Sequence, residues 1–480
     1  VPVYSRALAA VALVGALTAC TPEPTPPASG DPEARSVVIA VAVVPPSLDP
    51  LAGYAPMGAA KIYDGLVEHQ PGDTLRPTLA TALPVPAANG LSWTVSLRSD
   101  VSFHDGSKFD AEDVVATYRR ALDGPLRARF WMLTAVHQID PATVRFDLAQ
   151  PFPTFPSLLV LGITRSEDAG EPTIGTGPYR VENWQPGRKL VLKANAAYFT
   201  GPPAVTEVTV EFMPDDEVRA QWLRDGRLDG AALPASLAAS FARRSGFEVV
   251  EHDAADVRVV SLPPGPVTEN PAIRLALNLA VDRQRLVDTA LAGKGRAISV
   301  PLPTALAEFV EPGARFDFDV ARAKSVLDAA GWIPREDGVR VKDGVVAAFP
   351  VAYPVADVAA RDLVSGFVKA AAAVGVQVTA QPTPRDALGG AGAELLAVDD
   401  PDRYLADDHT RAATDLAQRA VAYRATQRAY LAAPSAVVLA ETGHSYVLRQ
   451  SWTGYQPVVD ATGTDHTWGA WWNLQTWTPR

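Results

Sequence analysis

Residues 103–123 read FHDGSKFDAEDVVATYRRALD, a tight turn feeding a capped helix. Asp105-Gly106 is a turn dipeptide, because glycine accepts the backbone angles that a reversal demands. Asp110 stands as an N-cap, its carboxylate placed to bond the free N–H groups of the first turn, and Glu112 and Asp113 add negative charge at the positive end of the helix dipole. Val114, Val115, Tyr118 and Leu122 fall on one face, so the helix docks on a core. Upstream, Leu91, Trp93, Val95 and Leu97 alternate with Ser92, Thr94, Ser96 and Arg98, which predicts a strand with one buried face running into the turn.

The chain around this unit has 480 residues, 48% hydrophobic and 20% charged, enough for two or three globular lobes. A net charge of −11 argues against a nucleic-acid groove or a polybasic membrane surface. One cysteine leaves no disulfide framework and no cysteine-rich metal site. That cysteine is informative by position. Arg6 precedes an apolar run from Ala7 to Leu17, too short to span a membrane stably, and the run ends in Leu17-Thr18-Ala19-Cys20. This pattern resembles the bacterial lipobox, which implies a signal peptide over 1–20 and makes Cys20 the lipidated first residue of the mature protein. Residues 21–36, rich in proline and small polar residues, cannot build a core and read as an extended tether.

Val37 to Val44 is a continuous apolar, β-branched run, as expected of a strand buried on both faces. It is followed by Leu48-Asp49-Pro50, Tyr63-Asp64-Gly65-Leu66 and Arg76-Pro77-Thr78-Leu79-Ala80. Gly175-Thr176-Gly177-Pro178-Tyr179 allows two backbones to approach closely. No Lys-Ser/Thr follows and no G-x-G-x-x-G is completed, so it is not a phosphate cradle. Val205 to Phe212 reads as a strand and Asp216 to Gly226 as a helix, followed by Leu228-Asp229-Gly230. Asn270-Pro271 opens a helix, Asp282 begins a second run closing at Gly293, and Asp319 caps a helix ending at Gly331-Trp332. A helix from Leu363 to Val374, then Gly375 and an alternating strand, adds a further α/β unit.

These strings, in this order, resemble the bacterial extracellular solute-binding proteins of family 5, which serve peptide and nickel ABC importers. FHDG-x-x-F-x-AEDV and GTGPY carry most of the resemblance; Arg274 to Arg283 matches the family's R-x-A-L-x-x-A-I-D-R. The resemblance runs from about Val37 to Tyr455. It implies an α/β, periplasmic-binding-protein-like fold of the type II, large peptide-binder kind, with two lobes, a ligand cleft and a hinge. The first lobe is expected over 37–262 plus about 445–480, with an inserted subdomain at about 55–170, and the second over 263–444.

No chemistry of bond making is written in the chain. There is no H-E-x-x-H and no G-x-S-x-G, and the seven histidines lack ligand spacing. Gly443-His444-Ser445 sets His beside Ser without implying catalytic geometry. No catalytic residue, metal or cofactor is expected, and a hydrolase is the least favoured class. The resemblance implies binding instead, with an aspartate near a D-x-x-D-P motif holding a peptide's amino terminus. The matching stretch here, Ala397 to Tyr404, has Ala397 at the first aspartate, leaving Asp399 and Asp400 as counterparts or as a solvated, capped turn. Tyr54, in the loop after Leu48-Asp49-Pro50, is either an aromatic wall of the cleft or a packing residue. Trp452, Trp468, Trp471, Trp472 and Trp477 either close the first lobe's core or offer a ligand platform, and Trp452 is the candidate for the latter. The expectation is a monomeric, lipid-anchored binding protein outside the membrane, capturing a peptide or similar solute by hinge closure and passing it to the transmembrane subunits of an ABC importer. The alternative is an envelope scaffold or sensor of the same fold that binds a glycolipid or a partner protein.

Overall fold

The apolar run after the tether forms a parallel strand, β1 (Ser36–Val41), with Ile39 and Ala40 buried in different cores on its two sides. That is why it shows no polar alternation. The computed structural model describes residues 35–480 apart from 56–57, 59, 71–73, 168–172, 399–404, 406–415 and 457–468, so Cys20, Asp399, Asp400 and Trp468 lie outside the described residues. β1 ends three residues before the expected Val44. The Met213 N–H donates to the Val41 carbonyl at 2.9 Å, and beyond it Val43 is exposed, ahead of two prolines that have no N–H to offer.

The stretch 103–123 folds as its residues require. β2 (Ser92–Ser96) buries Trp93 and Val95. The Gly106 N–H closes the turn on the Phe103 carbonyl (2.9 Å) with φ at +90°, in the left-handed region. In α1 (Ala111–Asp123), Asp110 accepts from the Glu112 N–H (2.8 Å) and Asp113 reaches back to the Asp110 N–H (3.0 Å), a complete capping box. Tyr118 from α1 meets Phe130 and Phe146 edge-on, with centroids 5.4 and 4.9 Å apart. Buried aromatics of this kind contribute on the order of 3–5 kcal/mol each. β3 (Leu133–Asp140), β4 (Thr143–Leu148) and the short edge strand Val85–Pro86 complete a four-stranded antiparallel sheet with β2, and α1 covers it.

The chain then builds a large sheet. β5 (Tyr179–Gln185), β6 (Lys189–Ala194) and β7 (Glu207–Phe212) lead to α2 (Asp216–Arg224), capped by Asp215, and to β8 (Gly230–Leu233). The long strand β9 (Phe247–Ser261) follows, then α3 (Pro271–Ala280) and α4 (Arg283–Ala290), capped by Asn270 and Asp282. α5 (Val320–Ala329) is capped by Asp319, and Gly331 (φ +83°) stops it before buried Trp332. β10 (Ala348–Pro354), α6 (Val358–Ala373), β11 (Gln377–Thr383), β12 (Ala393–Val398), α7 (Leu416–Ala432) and β13 (Ala436–Arg449) complete the elements used below. α6 begins five residues before the expected Leu363, because Asp357 caps it by accepting from the Ala360 N–H (2.8 Å).

These strands lie in the order β11-β10-β12-β9-β13-β8-β1-β7-β6-β5 of one 11-stranded sheet, with Gly295–Arg296 pairing off the path with β13. Separate cores form along it. Val37, Ile39, Val208 and Val210 pack with Tyr54, Tyr446 and the C-terminal tryptophans Trp452, Trp471, Trp472 and Trp477. Beyond β9, α3, α4 and α6 enclose a second large core with Val260, Val351 and Val437. Gly230 explains one join: a Cβ there would lie 2.3 Å from the Trp471 ring, so the returning C-terminal segment seats on a glycine.

Candidate functional site

The registers locate a waist in the sheet. β8 runs parallel to β1 and ends with Leu233 opposite Ser445 of β13. From the other side, β12 ends with Val398 opposite Val257 of β9, and β10 runs parallel to it. Val257 itself pairs with Glu441. Among the described residues, the sheet between Ser445 and Glu441 therefore narrows to β9 and β13, with Gly295–Arg296 alongside at Thr442 and Glu441. The carboxyl ends of the parallel strands on either side point at each other across this waist. In open α/β sheets ligands bind outside those ends. The pairing of β9 with β13 also shifts register between Asp253 and Asp256, within the waist. Such an irregularity bends a strand pair and weakens its ladder locally.

Fixed charges stand at the waist. Asp256 is buried, and its Oδ2 accepts from Arg258 Nε (3.1 Å) and Nη2 (2.7 Å), with His444 Nε2 at 3.8 Å. Burial opposes the carboxylate's charge, but Arg258 and His444 outweigh it and hold Asp256 down to about 2. Its Oδ1 is buried with no hydrogen-bond partner among the described residues. Arg258 also reaches Asp357 Oδ2 at 3.3 Å; burial works against this cation, yet the two aspartates push its pKa up. The sequence reading missed Asp256, Arg258 and Asp357. The available signal was two charges, Asp256 and Arg258, two apart in an otherwise apolar strand end.

The candidates drawn from the sequence are placed as follows. Asp49 closes a tight turn by accepting from the Leu51 N–H (2.8 Å), and the Tyr54 N–H donates to the Asp49 carbonyl (3.0 Å). Tyr54 thus lies in the loop beyond the carboxyl end of β1. Its ring is buried, edge-on to Tyr63 at 6.4 Å; its hydroxyl has no partner among the described residues, and burial pushes its pKa up. Trp452 is buried in the same core, paired through the short strand Trp452–Thr453 with Thr478–Pro479. β12 leads directly to Asp399 and Asp400, and Ala397 pairs with Arg258. The structure brings Tyr54 and Trp452 into one core, while Asp399 and Asp400 lie outside the described residues.

Two further polar clusters are structural in character. His104 Nδ1 accepts from the Gly175 N–H (3.2 Å), and Nε2 lies 3.0 Å from the Gly177 carbonyl, so a neutral ring with its proton on Nε2 satisfies both. Burial pushes His104 down to about 4. The two sequence landmarks, FHDG and GTGPY, therefore hold each other. Nearby, buried Lys61 donates to the Trp472 carbonyl and to Gln475 Oε1 (3.1 Å). Asp64 accepts from the Tyr198 hydroxyl (2.9 Å) and from Thr176 Oγ1 (3.0 Å). Burial lowers the lysine and raises the aspartate, each to about 7. They line a cavity of about 20 Å³ with Glu68 and Thr78. That holds one water and no solute of peptide size. Among the described residues no group of three or more His, Cys, Asp or Glu could hold a metal ion, and no helix is long and apolar enough to cross a membrane.

Comparison with known proteins agrees with this geometry. The family model for the bacterial extracellular solute-binding proteins, family 5 (Middle), matches residues 74–420. The chain is 36% identical to Protein XP55 of Streptomyces lividans over 94% of its own length and 92% of that protein's. It is 30% identical to the glutathione-binding protein GsiB of Salmonella typhi over 62% of each. Among solved structures it is similar to NikZ of Campylobacter jejuni in complex with Ni(L-His), with a TM-score of 0.83, 20% identity and coverage of 92% and 99%. It is also similar to the oligopeptide-binding protein AppA of Bacillus subtilis in complex with a nonapeptide, with a TM-score of 0.80, 20% identity and coverage of 93% and 100%. At that identity these structures establish the fold, a mixed α/β solute-binding fold.

Proposed function

Because the chain belongs to the bacterial extracellular solute-binding proteins of family 5, whose members bind solutes and are not enzymes, we propose that it captures a peptide or similar solute between two lobes that close about the waist. The observation that carries this reading is the facing of strand carboxyl ends across a waist of two strands. A ligand bridging both sides would select the closed state by its extra contacts there. The lobes divide at β9 and β13, the first taking 37–262 with about 445–480 and the second 263–444. Tyr54 and Trp452 border the cleft on the first side. Asp399 and Asp400, next in the chain after the carboxyl end of β12, hold the amino terminus on the second. The peptide class is supported by the fold shared with the nonapeptide-bound AppA and by the likeness to GsiB. Cys20 carries the lipid that keeps the protein at the outer face of the membrane, where importer subunits meet the closed form.

Calorimetry with a mixed peptide library tests the reading. Removing one partner of a buried charge pair costs ~3–5 kcal/mol. Asp399→Ala or Asp400→Ala is therefore expected to take micromolar binding of free-amino peptides below detection, with folding intact. N-acetylated peptides should bind the parent poorly. If no peptide binds the parent, the peptide reading fails and the scaffold or sensor reading, which the Ala397 departure favours, replaces it.

A further inference from the structure

α2 and α6 both start where strands end at the waist: α2 follows β7 after three residues, and α6 follows β10 after three. Their N-termini meet, although they are 142 positions apart in the chain. Asp216 Oδ2 accepts from the Val358 N–H at 2.9 Å, and the Asp216 N–H donates to the Ala356 carbonyl at 3.4 Å. The carboxylate is not recruited from solvent. It is buried against Arg219, which donates from Nε to the Ala232 carbonyl (3.0 Å) and also to the Met213 carbonyl. On the far side, Asp357 caps α6 and is held by Arg258 from β9, which in turn holds Asp256 at the register shift. Glu217 and Arg361, 3.8 Å apart and largely exposed, extend the contact outward.

We propose that this seam is a latch for the closed arrangement, with Asp216 as its positioning residue; the inference rests on the two-lobe closure argued above. Topology supplies the reason. Both helices hang on strand ends that face each other, so a rotation at the waist that parts those ends also draws the α6 N-terminus off the Asp216 carboxylate. Opening must then rehydrate a buried N–H and a carboxylate. Closing regains a charge-assisted hydrogen bond at the positive end of a 16-residue helix. Because Arg219 keeps the carboxylate in position on its own side, little ordering is needed when the lobes meet. A bond of this kind shifts the ratio of closed to open protein by roughly tenfold or more.

Val358→Pro is the sharpest test. It deletes the donated N–H at the first position of a helix, where proline is well tolerated. The preceding Asp357 is already extended (φ −97°, ψ 105°), about 15° in ψ from the range that a following proline favours. Asp216→Asn is the second variant, weakening the acceptor without removing its shape. Dyes at Asn183→Cys on β5 and Gln381→Cys on β11, the two outermost strands, report the separation of the halves in ligand-free, full-length Cys20→Ala protein. Both variants are expected to lower the ratio of closed to open protein about tenfold or more, with Val358→Pro melting like the parent. A closed fraction unchanged in Val358→Pro that melts like the parent overturns the latch, even if peptides bind. Loss of closure in a protein that binds no library peptide upholds the latch while sinking the peptide assignment.

Discussion

Gly175→Ala is the perturbation that bears hardest on the fold. A Cβ at Gly175 would sit 2.0 Å from the Ile62 carbonyl oxygen and 2.8 Å from its carbon, far inside contact distance with backbone that has no rotamer to escape by. Relief requires the two segments to part by about an ångström. That pulls on the bonds that close the crossing: Gly177 N–H to Ile62 carbonyl, Tyr179 N–H to Lys61 carbonyl and His104 N–H to Gly175 carbonyl, each 2.9 Å. Overpacking costs about 1–3 kcal/mol and each weakened bond about 0.5–1.5 kcal/mol, so a loss of about 3–7 kcal/mol is expected. That rivals the whole stability of many domains. Gly106→Ala is the matched comparison. Its φ is +90° but nothing lies within 4 Å of an added Cβ, so only backbone strain is incurred, about 1–2 kcal/mol. Urea unfolding of both variants, followed by tryptophan fluorescence, measures the difference. Equal losses, or a loss below ~1 kcal/mol at Gly175, would refute the claim that this crossing is held by close backbone approach.

Two further outcomes follow from named groups. His104 is depressed by burial from the usual histidine value to about 4, so its contribution is fully present above about pH 6.5 and is lost as pH falls toward 4. The parent should lose about 2–3 kcal/mol more than His104→Gln across that window in urea titrations, and parallel curves would show that the ring is not held neutral. Cys20→Ala should abolish incorporation of labelled lipid and release the protein from the membrane fraction, whereas retention of the variant, with no lipid on the parent, would remove the anchor.

How much was legible in the sequence depended on whether a feature is local. Caps at Asp110, Asn270 and Asp319 needed only the next three residues, and all three side chains accept where expected; Asp282, read only as the start of a run, proves to be a cap as well. Gly175 and Gly177 announced a close crossing, though not its partner, because Ile62 lies more than a hundred positions away. The end of β1 was misjudged since Val43 and Val44 look like strand residues, and only the end of the neighbouring pairing exposes them. α6 was begun late because Asp357 was not recognised as its cap. Asp113 looked like a surface charge for the helix dipole, yet it is buried and bonds the Ser166 N–H (2.7 Å) as well as the capping box, and burial raises its pKa.

The waist was illegible for a stronger reason. Its geometry is a property of six strand ends, in β1, β7 and β8 on one side and β10, β11 and β12 on the other, and the two sides lie more than a hundred positions apart in the chain. What the sequence does carry is the chemical consequence. Asp256 and Arg258 occupy a strand end whose next buried residues are Val259 and Val260, where an apolar pair would pack as well and avoid desolvating two charges. The charges stand where β9 passes from its pairing with β13 alone to its pairing with β12 as well, and where Arg258 reaches Asp357 at the start of α6. A strand buried in one continuous core would gain nothing from them. Under the proposed closure, a strand between two halves that move against each other gains directional bonds that fix one arrangement, which hydrophobic packing alone does not specify.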